Sequence, residues 1–149
     1  GAPVLVVAGP ARRRRGIHVA VEALAALRVS GPAPHLVMLG AAADDPSEYA
    51  AAVRAQAAAL GLGNRIHWTW AADEALRESW YRRAVLFLFP AVSDALTFEG
   101  LGVACIEAAA CGTPVIASRE CGAEDAVIHD VTGLLIQPGD AGALAHAIE

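Results

Sequence analysis

Two acidic side chains frame the most chemically suggestive stretch of this 149-residue chain: Glu99 and Glu107, with Gly100 and Gly102 between them. They stand eight positions apart, Glu99 ahead of a helical segment and Glu107 more than one turn into it. At a rise of about 1.5 Å per residue the pair is separated by roughly 10 Å, too far to relay a proton across one bond. The spacing instead suits two carboxylates that accept hydrogen bonds from hydroxyls at opposite ends of a long ligand. Gly100 and Gly102 let backbone N–H groups turn toward that ligand with no Cβ in the way. The helix behind them, from about Gly102 to Cys111, offers unpaired first-turn N–H groups and the positive end of its dipole, a site for a diphosphate. Glu107 also sits among Ile106, Ala108, Ala109 and Ala110, where an unpaired carboxylate would be costly.

A counter-charge is available in Arg12-Arg13-Arg14-Arg15, a basic run on an otherwise acidic chain of net charge −5. A guanidinium binds phosphate in a fork and can stabilise charge that develops on a departing nucleoside diphosphate. Arg15, next to Gly16, is expected to point inward, and at least two of the other three to be solvated. Hydroxyls, diphosphate and hydroxyls in that order describe a nucleotide-sugar, so the spacing predicts such a ligand.

Other chemistries are disfavoured. The first loop reads Gly9-Pro10-Ala11-Arg12, without the glycine spacing of a dinucleotide fingerprint, and Gly16 is followed by Ile17-His18 rather than the lysine and hydroxyl of a P-loop. Cys105, Cys111 and Cys121 are odd in number without CxxC spacing, and read as small apolar filler. His18, His35, His67, His129 and His146 are scattered, so no metal site is expected. The chain has no lysine, which disfavours a pyridoxal-phosphate phosphorylase.

The elements that must position these residues alternate. Apolar runs at 3–8, 35–40, 65–68, 85–89, 114–117 and 133–136 read as buried strands. Helical spacing follows each: Gly16–Val29, Ser47 to Leu60, Asp73 through Tyr81, Gly102–Cys111, Ala123–Ile128 and Ala143–Ile148. Six strands each followed by a helix predict an α/β fold: a single Rossmann-like, doubly wound parallel six-stranded sheet covered on both faces. Ligands of such sheets bind outside the carboxyl ends of the strands near the switch in strand order. That rule selects the loops 9–16, 69–73, 90–102 and 118–122.

Composition sets outer bounds. A hydrophobic fraction of 56% with 18% charged residues describes one globular domain. The negative charge disfavours nucleic acid as a partner. No apolar run reaches the roughly 20 residues of a membrane span. Gly1-Ala2-Pro3 leads straight into an apolar run, without a charged cleavable leader. The expected location is cytoplasmic, with membrane-peripheral association of a longer parent left open.

The stretch Glu99-Gly100-Leu101-Gly102-Val103-Ala104-Cys105-Ile106-Glu107-Ala108, continuing to Cys111-Gly112-Thr113-Pro114-Val115-Ile116-Ala117, resembles the donor-holding segment of the GT-B retaining glycosyltransferases called family 4, or group 1. Tyr81-Arg82-Arg83-Ala84-Val85-Leu86-Phe87-Leu88-Phe89-Pro90 and Val131-Thr132-Gly133-Leu134-Leu135-Ile136-Gln137-Pro138-Gly139-Asp140 are similar to two further family motifs. The resemblance covers essentially the whole chain and points to the C-terminal, donor-binding half of that fold.

The resemblance implies that Glu99 contacts donor-sugar hydroxyls, that the Gly100, Leu101, Gly102 and Val103 backbone holds diphosphate and sugar, and that Glu107 binds the ribose. The family's basic phosphate site aligns with Gly9 through Gly16; Arg15 stands where its lysine would be and Pro10 where its arginine would be. Arg12 or Arg13 would compensate for that departure. Trp70 replaces the usual glycine before the base-contacting backbone, implied at Ala71. Glu99 and Arg15 are the residues expected to take part in transfer. Family members transfer a sugar from a nucleotide-diphosphate sugar with retention, without metal or other cofactor, to an acceptor held by a separate N-terminal domain. This chain is therefore expected to bind donor but not to turn over alone. Competing readings are a non-catalytic nucleotide-sugar-binding or interaction module with a degenerate site, and an epimerase of the same fold.

Overall fold

The structure, a computed structural model, describes residues 1–70, 73–93, 96 and 98–149. Apolar strand sequences too short for helices lie side by side as β1 (Val4–Ala8), β2 (His35–Leu39), β3 (Ile66–Thr69), β4 (Leu86–Phe89), β5 (Val115–Ser118) and β6 (Gly133–Ile136). All pairings are parallel, in the order β3-β2-β1-β4-β5-β6. The expected doubly wound sheet is present. Its strand order reverses between β1 and β4, where Leu5 faces Leu86 and Val6 faces Phe87.

Both faces are covered, so neighbouring strand residues enter different cores. Leu5, Val7, Met38, Leu88 and Ile116 pack with α1 (Ile17–Ala26), α2 (Glu48–Ala59) and α5 (Ala141–Ile148). Val6, Val37, Phe87, Phe89 and Ala117 pack on the other side with Tyr81 of α3 (Glu74–Arg83) and with Cys105 and Ala108 of α4 (Val103–Ala110). Burial of the valine, leucine, isoleucine, methionine and phenylalanine side chains among these contributes about 1.5–3 kcal/mol each and is the main force holding the layers. Side-chain oxygens cap three helices: Ser47 accepts from Ala50 N–H, Asp73 from Leu76 N–H and Asp140 from Ala143 N–H.

One expectation is corrected. The helix predicted over Ala123–Ile128 is a single 3-10 turn, Gly122–Asp125. Val127 turns into the core at 2% exposure, and the Ile128 N–H donates to the Thr132 hydroxyl instead of propagating a helix. Gly133 then begins β6 beside Val115.

The reversal between β1 and β4 brings the first and fourth loops together. The N–H of Val92, just past β4, donates to the carbonyl of Arg14 at 3.0 Å. Through that bond the arginine run and the Glu99 segment share one edge of the sheet.

Candidate functional site

A cavity of about 350 Å³ opens at the carboxyl ends of β1 and β4. Glu99, Glu107, Arg15 and Arg77 supply its charged lining, and the backbone from Gly100 to Ala104 forms one wall. No side chain caps α4 at Gly102, so the free first-turn N–H groups of that helix belong to residues that line the cavity. A wider depression, about 630 Å³, lies at the amino ends of β5 and β6; among the described residues that line it, Asp130 is the one that carries charge. The switch-point rule and the charged groups both select the first cavity.

Glu99 is 7% exposed and is held between two guanidinium groups. Arg14 Nε lies 3.3 Å from Oε2 and Arg15 Nη1 lies 3.3 Å from Oε1. These contacts bring charges together without aligning donors: Glu99 Oε2, Arg14 Nε and Arg15 Nε are buried with no hydrogen-bond partner. Buried polar groups without partners cost about 1–3 kcal/mol each. A ligand bearing hydroxyls and an anionic group would satisfy them.

Arg15 reaches this place across Gly9. A Cβ on Gly9 would stand 3.0 Å from both Cζ and Nε of Arg15. The guanidinium also lies 5.9 Å from the centre of the Phe89 ring, within reach of a cation–π contact. The 3-10 turn Arg13–Arg15 is what carries Arg14 and Arg15 toward Glu99.

Glu107 is engaged from α3. Arg77 Nε lies 3.4 Å from Oε2, Arg77 Nη2 donates to Oε1 at 3.4 Å, and the Tyr81 hydroxyl donates to Oε2 at 3.3 Å. Burial pushes the Tyr81 phenol well above its ordinary range, and the adjacent Glu107 charge pushes it further. Tyr81 therefore stays protonated and remains a donor.

Most of the residues singled out in the sequence line this one cavity: Gly9, Arg15, Glu99, Gly100, Leu101, Gly102, Val103 and Glu107. Arg12 is not brought to this cavity. It is exposed, its Nη1 donates to the neighbouring Ala11 carbonyl at 3.0 Å, and it borders a separate bowl with Trp70, Asp44 and Asp45. Ala71 lies outside the described residues. Arg14, Arg77 and Tyr81 were not singled out as site residues. Arg77 and Tyr81 sit four positions apart on one helix face, which was the available signal. The cysteines behave as filler: burial pushes the Cys105 thiol up to about 12 and also raises Cys121. Among the described residues no group of three or more metal-ligating side chains is present. No described helix is long and apolar enough to cross a membrane.

A parallel six-stranded sheet with a charged, glycine-walled cavity at its switch point is a Rossmann-like domain of the kind that forms the C-terminal half of GT-B glycosyltransferases. The chain belongs to the family described as Glycosyl transferases group 1, which it matches over residues 1–149. A D-inositol 3-phosphate glycosyltransferase of Jonesia denitrificans is 35% identical over 136 residues, covering 89% of this chain and 31% of that protein. A GDP-mannose-dependent alpha-(1-6)-phosphatidylinositol monomannoside mannosyltransferase of Mycolicibacterium smegmatis is 28% identical, over 98% of this chain and 37% of its own length. Among solved structures, Anabaena Alr3699/HepE in complex with UDP-glucose aligns with a TM-score of 0.85 at 27% identity, over 99% of this chain and 38% of that one. The C-terminal domain of a group 1 glycosyl transferase, LpcC of Francisella tularensis, shares the fold at TM-score 0.81 and 21% identity, over 99% of this chain and 73% of that one. The chain thus spans about a third of the length of these curated relatives.

Proposed function

We propose that this domain binds a nucleotide-diphosphate sugar and is the donor half of a retaining, metal-independent glycosyltransferase. The observation that carries the reading is the convergence of Glu99, Glu107, Arg15 and an uncapped helix start on one cavity. Glu99 takes hydroxyls of the donor sugar, and Glu107 takes the ribose. The Gly100–Val103 backbone and the α4 N-terminus hold the diphosphate. Arg15 stabilises the negative charge that grows on the departing nucleoside diphosphate, a role a divalent cation fills in other transferases. The acceptor is held by a separate domain across the cavity mouth, so this domain alone binds without transferring. That a relative is named GDP-mannose-dependent and a structural neighbour holds UDP-glucose supports the donor class and leaves the base open.

Titration calorimetry with UDP-, GDP- and ADP-sugars tests the proposal. Silence from all of them up to millimolar concentration would remove it. A second reading, a binding module that has lost catalysis, is favoured by Pro10 in place of an arginine and by Arg12 facing elsewhere. Glu107→Gln in a full-length parent separates the two, since only the enzyme reading predicts a large loss of transfer.

A further inference from the structure

We infer that Arg77 is a specificity-determining residue that makes the cavity select ribonucleotides over deoxyribonucleotides, by fixing the carboxylate of Glu107 for the ribose diol. The inference rests on the assignment of Glu107 to the ribose made above.

Glu107 stands midway along α4 with a side chain 37% exposed. A glutamate so placed has several rotamers available and no reason of its own to present its carboxylate at one angle. Arg77 supplies the reason. Its Nη2 donates to Oε1 at 3.4 Å and its Nε stands in ion-pair range of Oε2, also at 3.4 Å, so that the planar fork of one guanidinium addresses both oxygens. Tyr81 adds a second hydrogen-bond donor, on Oε2 at 3.3 Å. Tyr81 is itself held, being 2% exposed, stacked edge-on to Phe87 at 5.4 Å, and receiving the Thr113 hydroxyl at its backbone carbonyl. The bracing is thus anchored in the core beneath α3 and α4.

The acceptor count defines what remains for a ligand. A carboxylate has about four lone-pair positions. Oε2 accepts from Tyr81 and Oε1 from Arg77 Nη2, with Arg77 Nε only in ion-pair range of Oε2, which leaves one position on each oxygen. One hydroxyl takes each position. A vicinal diol satisfies the arrangement; a sugar lacking one hydroxyl leaves part of a charged acceptor unmet. Arg77 lines the same cavity as Arg15 and there balances the Glu107 charge, which a diphosphate would otherwise meet as repulsion.

Calorimetry on this chain with UDP, 2′-deoxy-UDP, GDP and 2′-deoxy-GDP gives the test. The native chain is expected to bind the ribo form of its preferred nucleotide about tenfold more tightly than the deoxy form, the size of one hydrogen bond to a charged group. Arg77→Lys keeps the charge but not the fork, and is expected to bring that ratio near one; Arg77→Ala does the same and also weakens both forms. Tyr81→Phe keeps the ring and lowers the ratio in part. Should Arg77→Ala lose its cooperative thermal transition, the lysine and phenylalanine variants give the same readout. An unchanged ratio in Arg77→Lys, or no discrimination by the native chain, overturns the inference. Glu107→Gln separates the two layers. A ratio that survives Glu107→Gln means the carboxylate does not face the ribose, and then the donor-site assignment fails. A ratio that collapses in Glu107→Gln but survives Arg77→Lys defeats the role of Arg77 alone.

Discussion

The guanidinium of Arg15 lies 3.0 Å from the point where a side chain on Gly9 would begin. Gly9 ends the approach to β1's carboxyl edge with φ +114°, a backbone state that L side chains rarely adopt. A Cβ at position 9 would crowd the Arg15 guanidinium on its way to Glu99, and that tip would have to give by a few tenths of an ångström. Gly9→Ala is expected to destabilise the domain by about 1–3 kcal/mol through backbone strain. It should also weaken nucleoside diphosphate binding at least tenfold, while Gly63→Ala, in open space, leaves binding unchanged. Urea denaturation and calorimetry on both variants check this pair of outcomes.

Arg15 and Arg14 share the charge of Glu99, so their removal is not equivalent to removal of surface arginines. Arg15→Ala leaves a carboxylate that is 7% exposed with Arg14 as its remaining cation. In a full-length parent, kcat should fall by about 10²–10³, the range for losing one donor that stabilises developing charge. Arg12→Ala, in the separate bowl beside Trp70, should change kcat less than threefold. Equal losses for the two variants would contradict the placement of Arg15.

The glycine wall of the cavity is supported from beneath by Gly122. Its N–H donates to the Glu99 carbonyl at 3.0 Å, and a Cβ on Gly122 would overlap the backbone of Gly100. Gly122→Ala must push the Glu99–Gly102 segment outward, since neither contact is a flexible side chain. Affinity for the diphosphate nucleotide should fall by tenfold or more without loss of the cooperative thermal transition.

Thiol reactivity reports the packing of α4. Cys105 is 1% exposed and its thiol is pushed up to about 12 by burial, while Cys111 is only partly buried. The raised value keeps Cys105 protonated at pH 8, and the thiolate is the form that reacts. An alkylating reagent at that pH should label Cys111 in the folded domain and all three cysteines in urea, as mass spectrometry of digests would show. Labelling of Cys105 in the native state would mean that α4 opens.

Much of this molecule was legible before any coordinates. Most strands are apolar runs of at most a few residues closed by glycine, proline or a polar turn, with the edge strand β3 (Ile66–Thr69) the exception, and the parallel sheet is the architecture that buries such runs on both faces. Local spacing also placed Glu99, the two glycines and Glu107 around one helix start, because residues so near in sequence have few ways to be apart in space. The segment after β5 was less legible. Ala123–Ile128 has helical composition, but Val127 is drawn into the core and Thr132 intercepts the Ile128 N–H.

Sequence alone determined the alternation of elements, the loops that meet at the switch point and the acidic pair with Arg15 opposite, since all of these follow from short-range periodicity and the rule of parallel sheets. Tertiary structure decided which further arginine joins Arg15 at Glu99. In a run of four identical side chains nothing local distinguishes Arg14 from Arg12, and the 3-10 turn over Arg13–Arg15 is tied to the fourth loop by the Val92 N–H, which donates to the Arg14 carbonyl. It also decided that Arg77 and Tyr81 brace Glu107. Those contacts span 30 and 26 residues of chain, and are produced by two helices lying side by side on one face of a sheet, a proximity no spacing within either helix encodes.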